Sequence, residues 1–278
     1  MAAPEIVTVA DEEEVAREAA RRMVAALEQA VSERGEAHLA LTGGSSAVAL
    51  YRELLRPEWH SAVDWRHVHL WWGDERFVPV DHPDSNVGLA YNMLLASPAR
   101  AGMSGVGGQG VDVAAGDVPA LPIRAENVHP YEVDETLSES DPAGLVAQRY
   151  AESLLAALPT GRDGLPALDV ILLGVGPDGH ILSVFPGSRA LREDAQLVLS
   201  VPAPQHTGPH HPRITFNPIL LRAARLVLVM VSGAAKAEII GKVVAGERDP
   251  QRLPAQLGLL PNAVWLVDRA AAARLDRR

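Results

Sequence analysis

The chain of 278 residues contains no cysteine. Disulfides, a thiolate nucleophile and cysteine-ligated zinc or iron–sulfur sites are thereby excluded. Lysine occurs only at Lys236 and Lys242, so nearly every cation is arginine. No Gly-Lys-Ser/Thr sequence occurs either, which argues against a nucleoside triphosphate as ligand. Positive charge is short overall: 25 Lys and Arg against 35 Asp and Glu leave a formal net charge of −10. That balance speaks against nucleic acid or an anionic membrane surface as the main partner, and an anionic substrate would have to be held by local cations. No apolar run approaches the roughly 20 residues of a membrane span, the strongest (226–231) having the length of a strand. The N-terminal stretch carries Glu5, Asp11 and Glu12 to Glu14 rather than a basic region followed by an apolar one, so no secretory signal is visible and a cytoplasmic location is expected. What is present, 47% hydrophobic and 22% charged residues, describes an ordinary globular protein of one large domain or two small ones.

The chain is organised around residues 168–187. Val170, Ile171, Leu172 and Leu173 form a continuous apolar run stopped by Gly174, which predicts a strand buried on both faces in the middle of a parallel sheet. Gly174, Gly176 and Gly179 free the backbone for a sharp turn, and that turn carries one carboxylate, Asp178, and one imidazole, His180. The carboxyl end of a central parallel strand is where open α/β sheets bind ligands. A turn closed by an Asx hydrogen bond, with no chemistry, is the plain alternative. A dinucleotide fingerprint is another, because Gly174-x-Gly176-x-x-Gly179 has its spacing. Those glycines should open a long helix, however, and Phe185-Pro186-Gly187 closes any helix after little more than a turn. Pro177 and Asp178 also stand where a pyrophosphate would need bare backbone.

Taken in order, residues 6–9 suit an edge strand, and Asp11 caps a helix whose Val15, Ala19, Met23, Ala26 and Leu27 recur at helical spacing until Arg34-Gly35. Residues 38–41 form the next buried strand, followed by Thr42-Gly43-Gly44-Ser45-Ser46 and a helix over 47–55. A strand, a glycine–serine turn and a helix start bring free backbone N–H groups and the positive helix end to bear on an anion, a phosphate monoester fitting best. The alternative is that Ser45 or Ser46 only caps its helix. Residues 68–72 make a further strand, ended by Gly73-Asp74-Glu75-Arg76-Phe77-Val78-Pro79, whose charges could also be a solvated turn. His67 and His69 share a strand face with no third ligand nearby, and read as packing or rim residues. Asp84-Ser85-Asn86 caps a helix reaching about residue 95.

Residues 97–117 are small, glycine-rich and without pattern, and read as a flexible surface insertion. A helix over 143–158 is expected to turn Val146, Tyr150, Leu154 and Leu155 inward. After a strand at 197–201, a loop carries His206, His210 and His211 without acidic or cysteine companions, so adventitious metal binding is the most it offers and no metal site is expected. Residues 212–216 are strand-like, 219–224 helical, 226–231 a core strand, and Ser232-Gly233-Ala234-Ala235-Lys236 opens another helix. Lys236 falls in that helix's first turn, against the helix dipole. It either answers an anion or reaches into water. Residues 264–267 form a closing strand.

The pattern predicts a doubly wound α/β fold, a mostly parallel central sheet with helices on both faces in three layers. Small or polar groups then sit at five strand-to-loop junctions: Gly43-Gly44-Ser45, Asp74 with Arg76, Asp178 with His180, Arg213, and Lys236. In one such sheet these ends share a side and could line a single crevice. Anion-binding backbone, three cations and an Asp-assisted His, without cysteine or metal ligands, suit attack of water on a carbonyl of a sugar phosphate.

These residues carry a resemblance. Leu41-Thr42-Gly43-Gly44-Ser45, Trp72-Gly73-Asp74-Glu75-Arg76-Phe77-Val78-Pro79 with Ser85-Asn86, Leu173-Gly174-Val175-Gly176-Pro177-Asp178-Gly179-His180 through Phe185-Pro186, Arg213-Ile214-Thr215 and Ser232-Gly233-x-x-Lys236-Ala237 together resemble the 6-phosphogluconolactonases. That family belongs to a superfamily shared with glucosamine-6-phosphate deaminases and is similar in fold to ribose-5-phosphate isomerases. The resemblance runs from the N-terminal helix to near the C-terminus, apart from the insertion, and implies a single domain, 1–278. Two departures stand out: Ile181-Leu182 where Thr-Ala is common, and Leu221-Arg222 where Leu-Asn is usual.

The resemblance implies hydrolysis of 6-phospho-D-glucono-1,5-lactone to 6-phosphogluconate, with no cofactor and no metal. His180 would be the base, Asp178 would hold its tautomer, and Arg76 would meet developing negative charge. Gly44, Ser45, Arg213 and Lys236 would hold the phosphate, and Gly43, Asp74, Asn86, Gly176 and Gly179 would complete the substrate site. A small sugar-phosphate lactone is then the partner, and a monomer is the simplest expectation. A deaminase of the same superfamily would usually carry Asn-Glu-Pro where this chain has Ser183-Val184-Phe185-Pro186. A non-catalytic sugar-phosphate sensor and a nicotinamide-dependent dehydrogenase are the other readings weighed.

Overall fold

The computed structural model describes residues 3–95, 120–136, 141–191 and 196–275, so the insertion expected at 97–117 lies outside the described residues. In chain order the strands are β1 (Glu5–Val9), β2 (Ala37–Leu41), β3 (Val68–Trp72), β4 (Asp74–Arg76), β5 (Val170–Gly174), β6 (Val198–Val201), β7 (Arg213–Phe216), β8 (Leu226–Val231) and β9 (Ala263–Asp268). The helices are α1 (Glu12–Arg34), α2 (Ser45–Leu54), α3 (Pro57–His60), α4 (Asn86–Met93), α5 (Pro142–Ala157), α6 (Leu220–Ala223) and α7 (Ala237–Ala245). Six strands form one sheet in the order β1-β9-β8-β5-β2-β3, with every neighbouring pair parallel and helices around it.

The interior strands are apolar because both their faces are covered. Every residue of β2 and β9 is buried, as are Val170, Ile171, Leu172 and Leu173 of β5, whereas β1 at the edge is largely exposed. From β2 the chain moves outward to β3 on one side, then returns to the other side of β2 for β5, β8 and β9. The order therefore reverses between β2 and β5, which opens a crevice at their carboxyl ends.

Helix α1 follows local signals closely. The Asp11 side chain accepts the Glu14 N–H (3.0 Å), Glu12 to Glu14 fill the positive end, and Gly35 at φ 84° takes the left-handed position that ends the helix. Its buried face includes Val15, Ala19, Met23 and Leu27, and lies on β2, β5, β8 and β9. In α5, Val146, Tyr150 and Leu154 are buried as expected, but Leu155 is 61% exposed. One step along a helix turns a side chain about 100°, so neighbours cannot both face the same wall.

The largest departure is a second sheet, and it concerns the junction at Arg213. Asp74 and Arg76 lie on β4 and Arg213 on β7, and these strands with β6 form a separate antiparallel sheet in the order β4-β7-β6, packed beneath α5. Asp74 and Arg76 still leave the carboxyl end of β3, with only Gly73 between, whereas Arg213 follows no strand of the parallel sheet. Glu75 anchors this small sheet. Its buried carboxylate accepts N–H groups from Arg76 (2.6 Å), Asn86 (2.8 Å) and Val87 (2.7 Å) and the Ser85 hydroxyl (3.0 Å), so it satisfies the first free donors of α4. Ser85 completes the cap through its own oxygen, which accepts the Gly88 N–H (2.9 Å). Among the described residues, no helix is long and apolar enough to cross a membrane.

His69 is a packing residue, as expected. It meets His129 (Nδ1 to Nε2, 3.0 Å), pairs with His38 across β2 and β3, and His129 stacks on Trp71 at 4.0 Å. Burial lowers the pKa of all three imidazoles, that of His129 to about 4. The neutral forms are favoured in the folded chain, so their contribution to stability is complete above the unfolded value near 6.5 and is lost as pH falls toward about 4. The melting temperature should therefore fall over this window. His129→Phe, which keeps a ring on Trp71, should flatten the fall; equal slopes for both proteins would count against the assignment.

Candidate active site

A pocket of about 250 Å³ opens at the crevice between β2 and β5. That is at or below the low end of the roughly 300–1,000 Å³ of ordinary ligand pockets, and suits a small metabolite better than a dinucleotide. Ten of the twelve residues singled out above line it: Gly43, Gly44, Ser45, Asp74, Arg76, Asn86, Gly176, His180, Arg213 and Lys236. Asp178 and Gly179 do not. Gly179 (φ 84°) shapes the turn, and Asp178 stands behind the imidazole.

The loop after β2 supplies one anion-binding wall. Gly44, at φ 85°, is the N-cap of α2, and no side chain caps that helix. Ser45 and Ser46 lie inside the helix, so the first-turn N–H groups are left to the pocket. Gly43 has no room for a side chain, because a Cβ there would lie 1.8 Å from Asn86 Oδ1. Asn86 is held in turn by donating from Nδ2 to the Asp74 carbonyl (2.9 Å).

The turn after β5 seats the imidazole. Gly176 donates to the His180 carbonyl (2.9 Å) and accepts from Gly179 N–H (3.1 Å), which folds 176–180 back on itself. The His180 ring then rests on Gly176, where a Cβ would come within 2.0 Å of Nδ1. Asp178 Oδ1 takes the His180 backbone N–H (3.2 Å) and lies 2.5 Å from His180 Nδ1. A carboxylate at Nδ1 holds the proton there and leaves Nε2 as the basic nitrogen. Burial by itself would raise the Asp178 pKa, but the hydrogen bond and charge of His180, with a further hydrogen bond from His206, hold the carboxyl far below the usual range.

Two guanidinium groups make the opposite wall. Arg76 and Arg213 are direct cross-strand partners on β4 and β7, an arrangement that costs energy for like charges. Arg76 donates to the Asp84 carbonyl, and Arg213 to the Pro209 carbonyl (2.7 Å), so neither of these bonds cancels a charge. Burial and then the nearby Arg76 both lower the Arg213 pKa. Arg76 Nε, Arg213 Nε, Asn86 Oδ1 and Ser232 Oγ are buried with no protein partner. Lys236 is the N-cap of α7 rather than a first-turn residue, half-buried, with its ammonium on the Val175 carbonyl (2.7 Å). Burial pushes its pKa down. Three cations and two helix starts thus face one small hollow.

Asp74 lines the pocket, and its Oδ2 also accepts the Ser183 hydroxyl (2.6 Å), which ties β4 to the turn after His180. Leu182 takes a left-handed φ of 53° and packs against Gly73, whose Cβ would fall 2.8 Å from its Cδ2. The loop histidines do have acidic companions, contrary to the sequence reading. His206 Nε2 lies 2.6 Å from Asp178 Oδ2, and His211 Nε2 lies 3.0 Å from Asp84 Oδ2. Both carboxylates come from segments distant in sequence, and no local spacing reveals them. His82, Asp84 and His211 each offer a ligand atom within 4.8 Å of the others. His82 Nδ1 already accepts the Asp84 N–H (3.1 Å), however, so the cluster is closed by its own hydrogen bonds.

Comparison with known proteins agrees with this geometry. The family model described as glucosamine-6-phosphate isomerases/6-phosphogluconolactonase matches residues 10–265. A 6-phosphogluconolactonase of Mycobacterium tuberculosis is 36% identical over 260 residues, covering 92% of either chain. One from Streptomyces coelicolor is 32% identical over 276 residues, covering 99% of this chain and 95% of the relative. The solved 6-phosphogluconolactonase of Trypanosoma brucei superposes with a TM-score of 0.80 at 27% identity, over 98% of each chain. A fold shared to this extent, with the glycine turn, the imidazole and the paired arginines in one pocket, leads to one conclusion: the chain belongs to the glucosamine-6-phosphate isomerase/6-phosphogluconolactonase family.

Proposed function

We propose that the chain hydrolyses 6-phospho-D-glucono-1,5-lactone to 6-phospho-D-gluconate, in the cytoplasm and without cofactor or metal. The observation that carries this reading is an imidazole, backed by a carboxylate, sharing one pocket with Arg76, Arg213 and Lys236. The names of the relatives point the same way.

In the proposed reaction, His180 Nε2 takes a proton from water as its oxygen bonds to the lactone carbonyl carbon. The carbonyl π pair moves onto oxygen, and Arg76 stabilises that charge. The tetrahedral intermediate collapses, the ring C–O bond breaks, and the imidazolium returns its proton to the leaving oxygen. Asp178 stabilises the imidazolium between these steps, its low pKa keeping it ionised. Arg213, Lys236 and the N–H groups at the start of α2 grip the phosphate by charge-assisted bonds. The cross-strand repulsion of Arg76 and Arg213 supports this role, since a phosphate dianion would relieve it.

Three measurements test the reading, each following acid release from fresh lactone. His180→Ala should lower kcat by roughly 10²- to 10⁴-fold while phosphate-ligand affinity is retained, and near-full turnover would reject the base. Lys236→Ala should raise KM for the phosphorylated lactone about tenfold or more, yet leave KM for unphosphorylated glucono-1,5-lactone unchanged. Gly176→Ala adds only a methyl group, but its Cβ falls 2.0 Å from His180 Nδ1. Displacing the ring should cost at least about tenfold in kcat with the melting temperature little changed. Ammonia release from glucosamine 6-phosphate would favour the deaminase activity instead.

A further inference from the structure

We propose that His206 is a positioning residue for the Asp178–His180 pair. The inference deepens the lactonase reading and rests on its assignment of His180 as base. Asp178 is bridged by two imidazoles: Oδ1 meets His180 Nδ1 at 2.5 Å and Oδ2 meets His206 Nε2 at 2.6 Å. Only His180 lines the pocket. His206 comes from the loop between β6 and β7, and its ring stands edge-on to Phe185 at 6.0 Å and 87°. Phe185 in turn lies against the His180 ring, 4.6 Å away. His206 therefore touches both groups that frame the imidazole.

The physical need for such a residue follows from the torsion of an aspartate. Rotation about its last bond is broad and roughly two-fold, so contacts on one oxygen leave the carboxylate plane poorly set. A donor on the second oxygen fixes that plane, and with it the line from Oδ1 to Nδ1. The carboxylate accepts from both rings, so each presents an N–H to it, and His180 keeps Nε2 free toward the pocket. There is also an electrostatic consequence. An N–H on Oδ2 draws charge from the carboxylate and weakens its hold on a protonated His180. The titratable groups facing Asp178 are the two imidazoles and the Lys236 ammonium across the turn.

The bond to Asp178 also ties down the loop that carries Thr207 and Gly208 to the pocket wall. A purely structural anchor and a positioning residue differ in what they move. Loss of a loop anchor raises KM and leaves the pH profile in place. Loss of a positioning residue lowers kcat and shifts the base.

The test compares wild type, His206→Ala and His206→Gln, the last keeping an N–H donor. His206→Ala should lower kcat roughly tenfold and move the acid limb of the kcat/KM profile upward by about half a pH unit, with KM within about twofold. His206→Gln should recover most of kcat and return the limb. Unchanged kcat and limb in His206→Ala, or a rise in KM alone, would overturn the proposal. The His180 imidazole resonances, titrated by NMR in the same three proteins, give a readout independent of activity. A wild type without lactonase activity would reject the reaction assigned above, whereas an unmoved His180 titration in His206→Ala would reject the role of His206.

Discussion

Burying a carboxylate is costly unless its oxygens are filled, and at Glu75 four donors from Arg76, Ser85, Asn86 and Val87 fill them. This one group joins β4 to the start of α4 and so decides where the short segment Asp74–Arg76 can run. Burial pushes the Glu75 pKa up to about 7, and the N–H groups of Val87, Asn86 and Arg76 oppose it. With β4 held there, pairing to β7 sets Arg76 beside Arg213 whatever their charges prefer. The repulsion is a local cost that the rest of the fold sustains, and its counterpart is a pocket wall ready for an anion.

The facing wall comes from the parallel sheet. Its contribution is direction: β2, β5 and β8 all point their carboxyl ends to one side, so a helix start, a glycine turn and a lysine arrive together. The two walls are complementary in chemistry as well as position. One brings two arginines, the other backbone N–H groups, a lysine and an imidazole. Asp178 belongs to neither wall, and its carboxylate meets His180 on one oxygen and His206 on the other.

Much of this arrangement was readable along the chain wherever the controlling forces are local. Asp11 and Gly35 bound α1, Val170 to Gly174 form the central strand, and Gly176 and Gly179 make the turn that carries His180. Capping, burial of an apolar run and left-handed turn geometry each act within a few residues. Leu155 is apolar yet exposed, because the 100° step from the buried Leu154 turns it to solvent. The bond from the Ser183 hydroxyl to Asp74 is a contact that no spacing along the chain reveals.

Residue order along this polymer sufficed for the parallel sheet, the helix ends and the inventory of reactive groups, since periodicity and turn chemistry are properties of short segments. Which groups meet was left to packing. The second, antiparallel sheet, the opposition of Arg76 and Arg213, and the bridging of two imidazoles by Asp178 all join segments far apart in the chain. Contacts of that kind depend on how covered faces dock, and the free energy that selects them is the burial of many side chains at once rather than the preference of any one.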